Sequence, residues 1–112
     1  MRGRGFVASD TDDAPRVAVV NEQFANHYWP GADAVGKSVV RGEADAGIVI
    51  DGAGLGSTIA ANKIRGVRAA MCTTVTLARY AREHNGANVL ALGSTLIDAA
   101  AAISIVDTWM GT

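Results

Sequence analysis

Gly47-Ile-Val-Ile-Asp-Gly-Ala-Gly-Leu-Gly-Ser57 decides the fold. Its apolar opening has the composition of a strand buried on both faces. A glycine-rich turn follows at once. Ser57 then offers a cap to a helix carrying Ile59 and the Ala60-Ala-Asn-Lys63 run. Strand, tight turn and helix in this order form the first half of a β-α-β unit.

Working toward the C-terminus, Val67 to Cys72 reads as the next strand. Thr73 or Thr74 caps a helix running to about His84, and Asn85-Gly86 supplies a left-handed stop. Asn88-Val-Leu-Ala-Leu92 is a third strand, and Gly93-Ser94 turns it into a last helix, Ile97 to Met110. Strands alternating with helices predict right-handed crossovers and a parallel sheet, hence an α/β fold. Ligands of such sheets sit beyond the carboxyl ends of the strands. Asp51 to Gly56, Cys72 to Thr74 and Gly93 to Thr95 are therefore expected on one edge.

Working toward the N-terminus, the chain changes character near residues 36–42. Before that point lie most of the aromatics, both prolines and the acidic loop Ser9 to Asp13. Arg16-Val-Ala-Val-Val20 reads as a short buried strand, and Asn21 as the cap of a helix from Glu22 to Trp29 that Pro30-Gly31 stops. Ala32 to Val40 fits either state. Val35, Val39 and Val40 suit a helix, whereas Lys37-Ser-Val-Val40 suits a strand.

The whole chain bounds what these elements can do. Its 112 residues make about one domain, and 49% apolar against 19% charged residues excludes a disordered tail. Aromatics are only 5% while glycines number 13, so the core is built from small side chains and close backbone contacts. A net charge of −1 lacks the basic excess of a nucleic-acid binder. A single cysteine, Cys72, excludes a disulfide framework and a Cys-based zinc site, and reads as a buried small hydrophobe. The most apolar stretch, Leu96 to Met110, is broken by Asp98 and Asp107 and falls short of the about 20 residues that span a bilayer. Arg2 and Arg4 are followed by no apolar run of the signal-peptide kind. The expectation is a cytoplasmic protein with no membrane or nucleic-acid partner.

Asp51-Gly-Ala-Gly-Leu-Gly56 is neither the dinucleotide fingerprint nor a Walker loop, since its last glycine spacing is one short and no Gly-Lys-Ser/Thr follows. Two readings stand. The glycines serve a tight turn, or they let successive backbone N–H groups converge on a negative oxygen beside a helix N-terminus. Asp51 correspondingly caps the loop, or takes a proton from a carbon next to a carbonyl while the amides hold the enediolate.

The run Gly42-Glu-Ala-Asp-Ala-Gly-Ile-Val-Ile-Asp-Gly-Ala-Gly-Leu-Gly-Ser-Thr-Ile-Ala-Ala-Asn-Lys63 is followed by Gly66-Val-Arg-Ala-Ala70 and Ala81-Arg-Glu-His-Asn-Gly-Ala-Asn-Val-Leu-Ala-Leu-Gly93. Over about residues 40–110 this strongly resembles type B ribose-5-phosphate isomerase and its galactose-6-phosphate isomerase relatives. The resemblance implies a Rossmann-like three-layer sandwich with a small, mostly parallel sheet, truncated here at its N-terminal unit. It implies a metal-free, cofactor-free aldose–ketose isomerase acting on a sugar phosphate. It also implies a homodimer whose sites lie at the subunit interface. Carried over by position, Asp51 stands where many members have a cysteine base. Gly52, Ala53, Gly54, Leu55, Gly56 and Ser57 match the anion-hole loop. His84 matches the histidine that assists ring opening, and Asn85 a neighbouring polar contact.

Several features depart from the family. Ala53 stands where a hydroxyl residue is common, and the Ser94-Thr95 pair where a phosphate-binding arginine is common. The basic C-terminal extension and the opening strand with its Asp-His pair have no counterpart. Arg65 and Arg68 are phosphate candidates, while Arg79 and Arg82 read as a solvated helix face.

Residues from Gly5-Phe6 through Arg16-Val-Ala-Val-Val-Asn-Glu-Gln-Phe-Ala25 to Tyr28-Trp-Pro-Gly-Ala-Asp-Ala-Val-Gly-Lys37 resemble the periplasmic core domain of MacB-type ABC-transporter permeases. There Tyr28 and Trp29 read as packing residues and His27 as a surface one. The division expected is a permease-like strand and helix at 1–38 and an isomerase-like α/β domain at 39–112. The first segment docks beside the isomerase strands and completes their sheet. Against isomerase activity stand two alternatives, a sugar-phosphate-binding module without turnover and an inactive chimeric fragment.

Overall fold

Short apolar runs separated by glycine or asparagine turns leave each strand time to pair only once the chain has crossed back over the sheet. The computed structural model describes residues 15–21 and 30–112. Its strands are β1 (Val17–Asn21), β2 (Ala46–Asp51), β3 (Ala69–Met71) and β4 (Val89–Gly93). Its helices are α1 (Pro30–Val40), α2 (Leu55–Asn62), α3 (Val75–Asn85) and α4 (Ala99–Gly111), each following the strand of the same number. The strands form one sheet in the order β1-β2-β4-β3, parallel at every pairing.

Alternation along the strands sorts side chains into two cores. Ala18, Val20, Val49, Val89 and Ala91 face α1 and α2, meeting Ala32, Val35 and Ala61. Ile48, Leu90 and Leu92 face α3 and α4, meeting Ala78, Ala81, Ile105 and Trp109. The result is the expected α/β sandwich of three layers.

The strand predicted at Arg16 to Val20 does complete the sheet, pairing in parallel with β2 from Val17–Ala46 to Asn21–Ile50. The helix predicted at Glu22 to Trp29, with His27, Tyr28 and Trp29, lies outside the described residues, as do residues 1–14. Pro30-Gly31 corrects the prediction. The pair begins the helix α1, a role the breaker reading did not give it. Proline is well suited there, because the first helical N–H has no intrahelical partner to lose. The ambiguous Ala32 to Val40 segment is therefore helical. The division expected at 38/39 falls inside α1, and Ala18 and Val35 on one side of it share a core with Val49 and Val89 on the other.

Ser57 is a second correction. It lies within α2, whose N-cap is Gly54, and makes no capping bond with its side chain. Thr74 does cap α3, its Oγ1 accepting the Leu77 N–H at 3.1 Å, and Gly86 ends that helix in the left-handed region at φ +59°. Asp98 caps α4 by accepting the Ala101 N–H at 2.8 Å.

One ionic clamp holds the start of β1. The Asp45 carboxylate accepts the Arg16 backbone N–H at 2.8 Å and its guanidinium at 3.1 Å, while the same guanidinium donates to Gly42 O at 2.8 Å. These bonds, side-chain first, hold the Asp45 pKa below its ordinary value of 3.8. A lowered carboxylate pKa adds stability that is complete above the unfolded-state value and disappears as pH falls through the folded-state value. Thermal unfolding followed from pH 6 to pH 2 is therefore expected to show a loss that Asp45→Ala lacks, with the variant melting below the parent at pH 6. Identical pH profiles would remove the clamp from the account.

Candidate functional site

The carboxyl edge of the sheet is built where β2 and β4 end side by side, with Asp51 in register opposite Gly93. Both strands are apolar throughout until these positions, so the first polar side chain of β2 emerges at the turn itself. Asp51 is 3% exposed and Ser57 fully buried. One carboxylate oxygen of Asp51 accepts the Ser57 N–H at 3.2 Å. Asp51 thus serves the first turn of α2, where Gly54 has no side chain to offer and where the helix dipole favours a negative charge. Its other oxygen and the Ser57 hydroxyl are buried without a hydrogen-bond partner among the described residues. Buried polar atoms are ordinarily paired, so these two mark a polar spot that the described residues do not satisfy.

The glycine loop is pinned between the two strand ends. Asp51 O accepts the Ser94 N–H at 2.8 Å, and Gly52 O accepts both the Thr95 N–H at 2.9 Å and the Thr95 hydroxyl at 2.7 Å. Gly54 sits at φ +80°, where a Cβ would lie 2.7 Å from Met71 Cγ and 3.1 Å from Gly93 N. Gly54 O accepts the Thr58 hydroxyl at 2.5 Å and its N–H at 3.3 Å. Ala53 and Leu55 are exposed on the outer side of the loop, and Gly52 and Gly56 are half-buried. Asp51 to Gly56, the cap residue Thr74 and Gly93 to Thr95 therefore share the one edge, as the alternation of strands and helices predicts.

His84 and Asn85 lie elsewhere. They end α3, both exposed, with the His84 ring tilted against Tyr80 at 5.1 Å between centroids. That end of α3 leads through Gly86 into the start of β4, and Gly86 O accepts the Arg68 guanidinium at 2.7 Å. A five-residue strand separates the two edges, which amounts to about 15 Å. Within one chain, Asp51 and the His84-Asn85 pair are not brought together.

The arginines are placed by the same topology. Arg65 and Arg68 belong to the His84 edge, where the Arg68 N–H also donates to the Asn88 side chain at 2.7 Å. Arg82 corrects the prediction of a solvated face. Its guanidinium stacks 4.5 Å above the Trp109 ring and donates to Ala87 O at 2.7 Å, tying α3 to α4. Cys72 is 1% exposed and burial pushes its thiol pKa up, so it is a packing residue.

Sequence reasoning passed over Gly93 and Thr95 as working parts of the loop. A glycine closing an otherwise apolar strand was the available signal for a close backbone approach. Hollows of about 360 and 210 Å³ lie on the α4 face, sharing Ile50, Leu92 and Ala102 in their linings, and neither is lined by Asp51 or residues 52–57. Among the described residues no group of three or more His, Cys, Asp or Glu side chains is placed to hold a metal ion. No described helix is long and apolar enough to cross a membrane.

Comparison with known proteins agrees with this geometry. The family model described as Ribose/Galactose Isomerase matches residues 14–112, and so starts within the stretch that resembles a permease. The chain is similar to ribose-5-phosphate isomerase B of Escherichia coli, with 46% identity over 76% of this chain and 55% of that protein. It is similar to galactose-6-phosphate isomerase subunit LacB of Clostridium acetobutylicum, with 38% identity over 75% of this chain and 49% of that one. Among solved structures, type B ribose 5-phosphate isomerase of Trypanosoma brucei superposes with a TM-score of 0.76 at 43% identity, covering 80% of this chain and 60% of its own. The Mycoplasma genitalium ribose-5-phosphate isomerase B, solved with bound ribulose-5-phosphate, superposes at 0.70 with 39% identity over 78% and 59% of the two chains. The chain spans about half the length of the curated relatives it matches.

Proposed function

The chain belongs to the ribose/galactose isomerase family, and from that premise we propose that it interconverts an aldose phosphate and a ketose phosphate, of the ribose 5-phosphate and ribulose 5-phosphate type, through an enediolate. The observation carrying this reading is the buried Asp51 carboxylate, one oxygen on the Ser57 N–H and the other unpartnered, beside a loop whose leading carbonyls are turned toward residues 94–95. Asp51 takes the proton from the carbon beside the carbonyl and returns it to the adjacent carbon. The amides of residues 52–57 hold the oxygen that gains charge.

His84 and Asn85 enter through a second copy of the chain. A homodimer that sets the His84 edge of one protomer against the Asp51 edge of the other gives each site both groups, with His84 of the partner subunit assisting ring opening. The distance between the two edges of one chain supports this arrangement. The reading needs no cofactor or metal, and places the protein in the cytoplasm, where phosphorylated sugars are held. A permease-like origin of residues 3–38 enters only as a proposed source of the segment that supplies β1 and the start of α1, and adds no activity.

The full chain incubated with ribose 5-phosphate in heavy water is expected to yield ribulose 5-phosphate carrying solvent deuterium at C1, the carbon that receives the proton, and light scattering is expected to give the mass of two chains. A second reading, a sugar-phosphate-binding module without turnover, is favoured by the deep burial of Asp51 and its bond to α2. A rise in melting temperature with ribose 5-phosphate, but no exchange and no product, would establish that reading in place of the first.

A further inference from the structure

We infer that Thr95 is a positioning residue for the glycine loop, setting the direction in which the Ala53 N–H points; this rests on the enediolate reading of that loop. The peptide group is planar and trans, so a carbonyl held in one direction sends the N–H of the next residue the opposite way. Gly52 O is held twice, by the Thr95 N–H at 2.9 Å and by the Thr95 hydroxyl at 2.7 Å. The Ala53 N–H consequently leaves on the side away from residues 94–95. Asp51 O, held by the Ser94 N–H at 2.8 Å, fixes the Gly52 N–H in the same manner.

The two clamps differ in kind. The Ser94 bond is backbone alone and survives any side chain, whereas half of the Gly52 clamp is the Thr95 hydroxyl. Gly52 has no Cβ to limit its backbone angles, so the peptide on either side of it turns freely unless its carbonyl is held. Thr95 Cγ2 lies 4.0 Å from where a Gly52 Cβ would stand, so the side chain sits over the loop with its hydroxyl directed inward. In a segment where the family resemblance leads to an arginine, this chain carries a hydroxyl bound to its own loop.

Three full-length proteins test this: the parent, Thr95→Val and Thr95→Ser. Valine keeps the shape and the backbone N–H of an exposed residue, so the fold is expected to stand. With ribose 5-phosphate, Thr95→Val is expected to lower kcat about tenfold with KM within twofold, and Thr95→Ser to restore kcat. Amide hydrogen exchange at residues 52–56 is expected to quicken in the valine variant and recover in the serine one. Parent values of kcat and exchange in Thr95→Val, or a loss that serine does not repair, would overturn the assignment. A parent protein without turnover defeats the isomerase reading instead. Loop exchange then decides for Thr95, and an unchanged rate in Thr95→Val overturns the assignment there too.

Discussion

Asp51→Asn is expected to leave the chain folded and to lower kcat for sugar-phosphate isomerisation by about 10²- to 10⁴-fold. Asparagine keeps an oxygen that can accept the Ser57 N–H, now bonded to Asp51 at 3.2 Å. The first turn of α2 therefore stays capped. What disappears is the ability to take a proton from carbon, and with it the negative charge at the end of β2. Melting temperature and deuterium exchange should separate these effects, the first nearly unchanged and the second slowed in step with kcat. Equal exchange by parent and variant would eliminate Asp51 as the base and leave it only its capping role.

Gly93→Ala should be the most damaging small substitution for both stability and turnover. A Cβ at residue 93 would stand 2.6 Å from Ala53 O and 2.7 Å from Ala53 C, both backbone atoms that no side-chain rotation can move aside. The loop itself would have to lift from the strand end. Overpacking of this kind costs about 1–3 kcal/mol, or a fall in Tm on the order of 10 °C for a chain of this size. The displaced loop should also lose its hold on a developing oxyanion. Gly111→Ala is the control, since no described residue lies within 4 Å of a Cβ there, and it should melt with the parent. If Gly93→Ala also kept the parent Tm, the close approach of the loop to β4 would be refuted.

Much of the architecture was legible because strands buried on both faces announce themselves. Ile48 to Ile50 and Val89 to Leu92 carry no polar residue, and each is bounded by a turn residue, so their elements could be placed within a residue or two. Helix starts were harder. At α2, Ser57 looked like the cap, yet the cap comes from Asp51, six residues away in sequence, folded over the turn. A short-range pattern cannot show that. At Pro30-Gly31 a breaker pair has two meanings, and only the helix on its C-terminal side decides between them. The loop residues were legible as a set, whereas the burial of Asp51 and its unpartnered oxygen depend on packing and were not. The separation of His84 from Asp51 was implicit in the topology. A helix that returns from the carboxyl edge must end at the amino edge, and the next strand begins there.

The strand order β1-β2-β4-β3 also governs how the chain can assemble as it is made. β1 and β2 emerge before β3 and β4 and pair in parallel once α1 has carried the chain back between them. β3 is only three residues long, and β4 is its partner in the sheet, so it must wait on the ribosome for a segment not yet synthesised. Until Val89 to Gly93 arrives, the two halves are beads without a clasp, and a nascent chain paused before that point carries apolar surface for a chaperone to guard.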